Sequence, residues 1–411
     1  MTTLFSRSQQ IIFILLGVSI PTSIAITNFL LILIALCWIY ERNFKVKFKK
    51  IFFSVWPILI IVLLLLYFIG MFWGTHHDNS SWQFQKLALL LFFPILMTLS
   101  LTRRTMQYAL TAFLITNFIS ALIAILINYQ IIKPLSSYFT FIESFYGTSA
   151  FIKYNYHNVL LAFSSIICLY LFLEKKTKYK YLVIFFFIVY ALSIFTERGR
   201  AGQLLFNLAM LFYILRYAAQ RNVGLKLLMF RFLIFCTLLF SFNLFMYNKN
   251  NSYKKRVDAV SEIIQNNGQR KGYKRDIRYV FIEETLKDII KKPILGYGTG
   301  SFGKIFIIKQ KKGIISSEYK FFDWITPHNQ YLYVWFEIGF LGLLCLILIF
   351  YLQAKKLLKQ CDGLFKVCLP VSFMLLMMVD SYLFIFILTS AYIFLYTICS
   401  RYHLEPNEIS E

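Results

Sequence analysis

Long apolar runs separated by short polar or basic breaks set the pattern of this chain. They fall at approximately 8–21, 24–40, 51–73, 82–100, 106–130, 156–173, 181–196, 201–215, 227–247, 327–353, 364–381 and 383–400. A helix needs roughly 20 apolar residues to cross the hydrocarbon core of a bilayer. Backbone groups in lipid must be satisfied within their own segment, which favours helices over open sheets. No ten-residue alternation suggests an outer-membrane barrel. The pattern predicts an all-α polytopic membrane protein with about twelve transmembrane helices. The first two runs could also be one helix bent at Pro21, and charge decides between these readings.

The breaks ERNFKVKFKK (41–50), LTRRT (101–105), EKKTKYK (174–180), RYAAQRNVGLK (216–226) and AKKLLKQCDGLFK (354–366) are all basic, whereas GTHHDNSSW (74–82) holds no Lys or Arg. Lys and Arg collect on the cytoplasmic side of short loops. Two spans before residue 41 put every basic break inside; one span would put 41–50 outside. Twelve spans with both termini inside is therefore the expectation. The net charge of +24 is largely topological on this reading. With no soluble basic domain to carry it, nucleic-acid binding is not expected. Arg7 and the apolar run after it resemble a signal peptide, but further spans follow at once, so an uncleaved first span is expected. The cysteines, at 37, 168, 236, 345, 361, 368 and 399, avoid the one long polar segment and read as packing residues.

Three regions follow: a bundle of about nine spans over 1–247, an outer loop over 248–325, and C-terminal spans over 326–411. A second outer segment, 131–155, is rich in Tyr and Phe. Long loops translocate largely regardless of their charge, so the basicity of 248–325 is compatible with an outer position. Within it Arg275, Arg278, Ile282, Leu286 and Ile289 repeat at helical spacing, and Pro293 and Gly296 would end that helix. The run GYGTGSFG (296–303) follows no βαβ pattern and lacks a P-loop Lys–Ser/Thr pair, so it reads as a tight turn. No internal repeat is visible.

Candidate chemistry gathers around the segment ITPHNQYLYVWFEIGFLGLL (325–344). Thr326 can cap a helix whose first position is Pro327, which places His328 in the first turn. The positive end of such a helix favours a neutral ring able to accept a proton, and it attracts phosphate. Asn329 stands beside it. Arg198 and Arg200 lie in TERGRAGQ (196–203), a link so short that they must sit at the membrane boundary. Arg binds phosphate through a planar fork that Lys does not match; snorkelling or pairing with Glu197 is the structural alternative. Arg275 and Arg278 could complete a pyrophosphate cradle or simply be solvated. His157 begins a span and could face the same cavity. His76, His77 and Asp78 form a possible metal trio without an obvious fourth ligand. No Asp-x-Asp occurs, and a cation holding a diphosphate wants carboxylates. A metal-independent site without a cofactor is therefore expected.

Together these segments resemble the O-antigen ligase family, within the wider group that includes O-antigen polymerases. GRAGQ resembles its Gly-Arg-x-Gly element, Arg278 followed by Pro293 and GYGTGSF its Arg…Pro-x-x-Gly-x-Gly stretch, and PHNQYLYVWFEIGFLGLL its Pro-His-Asn-x-x-Leu helix. The motif region runs from about 185 to 345. Phe281–Ile282 departs from it where the family often has Trp, and ERGR offers two arginines for one position, as do Arg275 and Arg278. The resemblance implies a membrane-embedded, GT-C-like glycosyltransferase of the bacterial inner membrane with a periplasmic active site. Its donor would be a glycan on undecaprenyl diphosphate, and its acceptor a sugar hydroxyl of lipid A–core oligosaccharide. Arg200 and Arg278 would bind the diphosphate, with Arg198 and Arg275 as their competitors, and His328 would activate the acceptor. An inverting single displacement is expected. A polymerase, a protein-directed oligosaccharyltransferase and a lipid-linked-glycan flippase are the competing readings.

Overall fold

Apolar runs of this length leave the backbone one economical way to satisfy its own hydrogen bonds, and every regular element among the described residues is helical. The computed structural model describes residues 2–74, 77–135, 149–174, 178–220, 225–265, 277–319, 321, 325–360 and 363–401. In chain order the helices are α1 (Thr2–Ser19), α2 (Ile24–Tyr40), α3 (Phe44–Phe52), α4 (Val55–Gly70), α5 (His77–Ala88), α6 (Phe92–Thr98), α7 (Arg103–Asn128), α8 (Tyr154–Glu174), α9 (Lys180–Thr196), α10 (Arg200–Gln220), α11 (Leu225–Lys249), α12 (Asn251–Gln265), α13 (Ile277–Lys291), α14 (Phe302–Lys311), α15 (Gln330–Leu358), α16 (Gly363–Lys366), α17 (Cys368–Met377) and α18 (Phe386–Arg401). Short 3-10 turns occupy Leu89–Leu91 and Tyr382–Phe384.

This is an all-α membrane protein. Among the described residues four helical stretches are each long and apolar enough to cross a bilayer: Arg103–Asn128, Tyr154–Leu173, Phe232–Lys249 and Gln330–Leu358. The pair α2–α3, bent by 115°, makes a fifth if counted as one span. Shorter apolar helices are Val55–Gly70, Lys180–Thr196, Gly363–Met377 and Phe386–Arg401.

Several runs that read as single helices are interrupted. The run 82–100 passes through α5, a 3-10 turn and α6. Pro94 lacks an amide hydrogen and crowds the carbonyl four residues back, so the turn before it tightens. Pro370 likewise stands behind the break between α16 and α17. The first two runs are separate helices; Thr27 Oγ1 donates to Ser19 Oγ across them at 3.0 Å.

The chain divides into two compact units. The first contains Met1–Ile20, Ile24–Leu110 and Tyr273–Glu411, the second Pro21–Ser23 and Thr111–Gly272. In the first unit α15 packs along α4. Beside them Trp56, Phe93, Tyr392 and Tyr396 form a buried aromatic cluster with ring centroids 5.4–5.7 Å apart for the pairs Trp56–Tyr396, Trp56–Phe93 and Phe93–Tyr396.

The glycine-rich segment is a turn, as its composition implies, and it is threaded into this unit. Tyr297 and Gly298 amides donate to the Phe336 and Glu337 carbonyls, both at 2.8 Å, and the Thr299 amide donates to Gly70 O at 3.0 Å. Buried Glu337 accepts through Oε1 from Gln83 Nε2 at 3.0 Å and from the Gly300 amide at 3.1 Å. α15 opens at Gly339 to admit the segment: there φ is 72° and ψ −170°, and an added Cβ would lie 1.8 Å from Ile294 O. The Phe340 amide freed by this break donates to Pro293 O at 2.9 Å. Helix break and turn therefore satisfy each other's backbone groups.

α13 is the helix expected before Pro293. Phe281 and Ile289 are buried together with Glu284, Thr285 and Asp288, while Ile282 and Leu286 are exposed. The cause is Lys309 on α14. It is itself buried, lies 2.9 Å from Glu284 Oε2 and 2.6 Å from Asp288 Oδ2, and draws the carboxylate side of α13 into the unit. Arg275 lies outside the described residues, as do Cys361 and most of the second outer segment, residues 136–148. Cys168, Cys345 and Cys368 are buried and unbridged.

In the second unit α8 is the central helix and packs against α9 and α10. Val159, Leu160, Leu161 and Ala162 are fully buried. Tyr190 donates to Leu114 O at 2.6 Å, and Phe118 stacks on Phe186 with centroids 4.1 Å apart.

Candidate active site

In the first unit the ring of His328 meets a carboxylate that sequence reasoning missed. His328 Nδ1 lies 3.0 Å from Asp380 Oδ1, and the two side chains are 35% and 33% exposed. A ring N–H donating to a carboxylate fixes both tautomer and orientation, leaving Nε2 to accept a proton. Arg278 on α13 adds its positive charge to the same carboxylate. Its exposed side chain shares this unit with the His–Asp pair. Behind the pair stands an aromatic wall: Phe281 is fully buried, its centroid is 6.0 Å from that of His328, and it packs on Phe302, Phe306 and Phe321.

His328 does not occupy the first turn of its helix, and Thr326 is not the cap. α15 begins at Gln330, and Asn329 is the N-cap: its Oδ1 accepts from the Tyr331 and Leu332 amides at 3.0 and 3.1 Å. An Asn that satisfies two first-turn donors outcompetes a threonine three residues earlier. His328 thus precedes the cap and takes φ 53°, in the left-handed region. A non-glycine residue held there stores on the order of 1 kcal/mol of strain, a cost met most often at functional positions. Asn329 Nδ2 also donates to Met378 O at 3.2 Å, so any substrate contact it makes must compete with these bonds.

The residue that organises this site, Asp380, follows α17 at the end of an apolar run. Its only sequence signal is a carboxylate beside Ser381 in an otherwise apolar stretch, where a charge is costly and usually partnered.

The second unit holds Arg198 and Arg200. α9 ends at Thr196 and α10 begins at Arg200, and both arginine side chains are exposed. Glu197, just before Arg198, turns inward. Its Oε1 lies 2.7 Å from His157 Nδ1 and accepts from Ser193 Oγ at 2.9 Å, with His157 and Glu197 both fully buried. His157 is therefore a buried anchor for the link rather than a cavity-facing group. The glycines complete the fit: a Cβ on Gly202 would come within 2.0 Å of Asn158 Oδ1 and 2.4 Å of Asn158 O. Gln203 Nε2 and Asn158 Nδ2 both donate to Ile194 O at 3.0 Å, holding the end of α9. The chain turns so sharply here because α8 offers buried partners for its polar groups, and the turn leaves the two guanidinium groups outward. His76 lies outside the described residues, and the trio with His77 and Asp78 is not placed.

A family model described as O-antigen ligase matches residues 185–347. Over that stretch the chain is similar to the O-antigen ligase family. The match spans α9 to α15 and takes in Arg198, Arg200, Arg278 and His328, while Asp380 and His157 fall outside it. Members of this family are glycosyltransferase-like enzymes that act on lipid-linked glycans. No curated protein matches the chain.

Proposed function

We propose that this O-antigen ligase family protein transfers a glycan from undecaprenyl diphosphate to a sugar hydroxyl of lipid A–core, at the periplasmic face of the inner membrane. The observation that carries the reading is the His328–Asp380 pair with the Arg278 charge beside it. In the proposed step the acceptor oxygen attacks the anomeric carbon. His328 Nε2 takes the hydroxyl proton, the bond from that carbon to the phosphate oxygen breaks, and the electron pair leaves with the diphosphate. Arg278 and Arg200 offset the charge that develops on the leaving group, with Arg198 and Arg275 as the competing donors. A single displacement inverts the anomeric centre. Asp380 orients the ring, and Asn329 fixes the turn that carries it.

The wider reading is a GT-C-like enzyme of twelve spans, both termini cytoplasmic, working without a metal or cofactor. The test uses purified protein, lipid-linked donor and two competing acceptors, lipid A–core and a second lipid-linked glycan, with and without chelator. Transfer to lipid A–core that is unchanged by chelator and absent from His328→Ala supports the reading. Transfer only to the second lipid-linked glycan makes the protein a polymerase. Passage of donor across a vesicle membrane without covalent transfer makes it a flippase.

A further inference from the structure

At the other end of α15 from His328 lies a cavity of about 160 Å³ in the first unit, lined by Lys50, Ser54, Trp56, Thr98 and Lys356 among others. All five carry a donor: two lysine ammonium groups, an indole N–H and two hydroxyls, of which Thr98 Oγ1 already donates to Pro94 O at 2.9 Å. Trp56 is 2% exposed, and its Nε1 has no hydrogen-bond partner among the described residues. A buried donor left without a partner is costly unless a ligand or water answers it. Trp56 sits in the first turn of the 16-residue α4, whose N-cap, Ser54, makes no side-chain cap bond. Helix dipole, unsatisfied donor and two cations all call for an anion with several acceptor oxygens.

The neighbouring helix shows where that anion comes from. α3 turns away from α2 by 115°, so it lies close to the membrane plane if α2 spans. Its Phe44, Phe48 and Phe52 form an exposed ladder, with successive ring centroids 6.1 and 6.0 Å apart, and Phe53 beyond them is 90% exposed. Lys45, Lys49 and Lys50 are exposed on other sides of the same helix. Lys47 alone turns inward, 2.9 Å from Glu41 Oε2 and 4.7 Å from the Trp38 ring centroid, and pins α3 to the unit. An apolar ladder with flanking lysines is the signature of a helix seated among lipid head groups. Basic pockets between helices on this side of a membrane suit anionic head groups.

We propose that the cavity binds the phosphate of an anionic phospholipid through Lys50, Lys356 and the Trp56 indole, while α3 seats its phenylalanine ladder among the acyl chains. The site is separate from the glycan chemistry and does not depend on it.

The test measures phospholipid retention by the full-length purified protein, by native mass spectrometry in detergent, during titration with phosphatidylglycerol, phosphatidylcholine or inorganic phosphate. Wild type should prefer phosphatidylglycerol at least tenfold over phosphatidylcholine. Each lysine near a charged surface is worth about 1 kcal/mol, so Lys50→Gln or Lys356→Gln should weaken phosphatidylglycerol binding about fivefold and the double variant about thirtyfold. Trp56→Phe keeps the ring against Phe93 and Tyr396 and removes only the donor; it should weaken binding severalfold with no change of charge. Lys49→Gln, exposed and outside the cavity lining, should change it less than twofold. Equal loss in Lys49→Gln, or no loss in Trp56→Phe, would mean diffuse attraction and overturn the site. Inorganic phosphate competing as well as the lipid would overturn the phospholipid assignment. Thermal unfolding of each variant at the wild-type temperature separates these outcomes from misfolding.

Discussion

Replacing Asp380 isolates the contribution of ring orientation at His328. The bond between Nδ1 and Oδ1 is 3.0 Å long, with about a third of each side chain exposed (35% and 33%). A hydrogen bond to a charged group contributes about 1.5–3 kcal/mol, and partial exposure places this one near the lower figure. At about 1.4 kcal/mol per decade of rate, Asp380→Ala should lower kcat roughly tenfold. Asp380→Asn adds a second effect. The new amide can donate to Nδ1, which moves the ring proton to Nε2, the nitrogen that must accept from the substrate. General-base catalysis is worth about 10²–10⁴-fold, so the Asn variant should lose about 100-fold or more despite being the closer mimic in shape. KM for the lipid-linked donor should not rise, because Asp380 presents no positive charge to a diphosphate. The assay is initial-rate transfer with purified variants of unchanged thermal stability. Wild-type kcat in both Asp380 variants, alongside an inactive His328→Ala, would refute the orienting role. A rise in KM alone would mean that Asp380 acts on binding.

Three further outcomes follow from the packing. Gly202→Ala drives a Cβ to 2.4 Å from the Asn158 carbonyl oxygen; overpacking of this kind costs about 1–3 kcal/mol, so thermal unfolding should occur several degrees lower, and an unchanged midpoint would refute the contact. Gly339→Ala combines φ 72° with a 1.8 Å approach to Ile294 O, and size-exclusion chromatography should recover little monodisperse protein. Glu284 on α13 gives a pH test: burial pushes its carboxyl up, but bonds from Lys287 and Lys309 outweigh this and hold it below the ordinary value of 4.5. A depressed carboxyl stabilises the fold above its unfolded value and loses that contribution as pH falls through its folded value. Wild type should therefore lose more thermal stability on acidification below pH 4.5 than Glu284→Gln does, and parallel curves for the two would remove the pair from the acid response.

The helical character of the chain and the position of His328 at one end of an apolar helix were legible from residue order, because apolar run length and Pro-His-Asn are local signals. What was not legible depends on partners far apart in sequence. Asp380 is 52 residues from His328, and nothing near it says that an imidazole waits there. His157 was visible as a span-leading histidine, but its inward pairing with Glu197, 40 residues away, was not. Spacing showed α13 as a helix but not which side of it packs; that is decided by Lys309 on another helix, which pairs with Glu284 and Asp288. The capping of α15 is a local exception. Asn329 and Thr326 both have cap chemistry, and only the geometry of two amides meeting one Oδ1 decides between them.

Carboxylates and guanidinium groups are divided by a common logic in both units. In the second, Glu197 is buried on His157 and Ser193 while Arg198 and Arg200 next to it are exposed. In the first, Asp380 is engaged by His328 and Glu284 by Lys309, while Arg278 is exposed. These carboxylates hold the fold or orient a ring, and the arginines near them are exposed. Exposed, fork-shaped donors are what the proposed diphosphate leaving group would require. Arg200→Lys and Arg278→Lys keep the charge and remove the fork. Both should lose transfer activity by at least tenfold while the protein folds normally; full activity in the lysine variants would reduce the arginines to a general positive field and leave the diphosphate without a specific cradle.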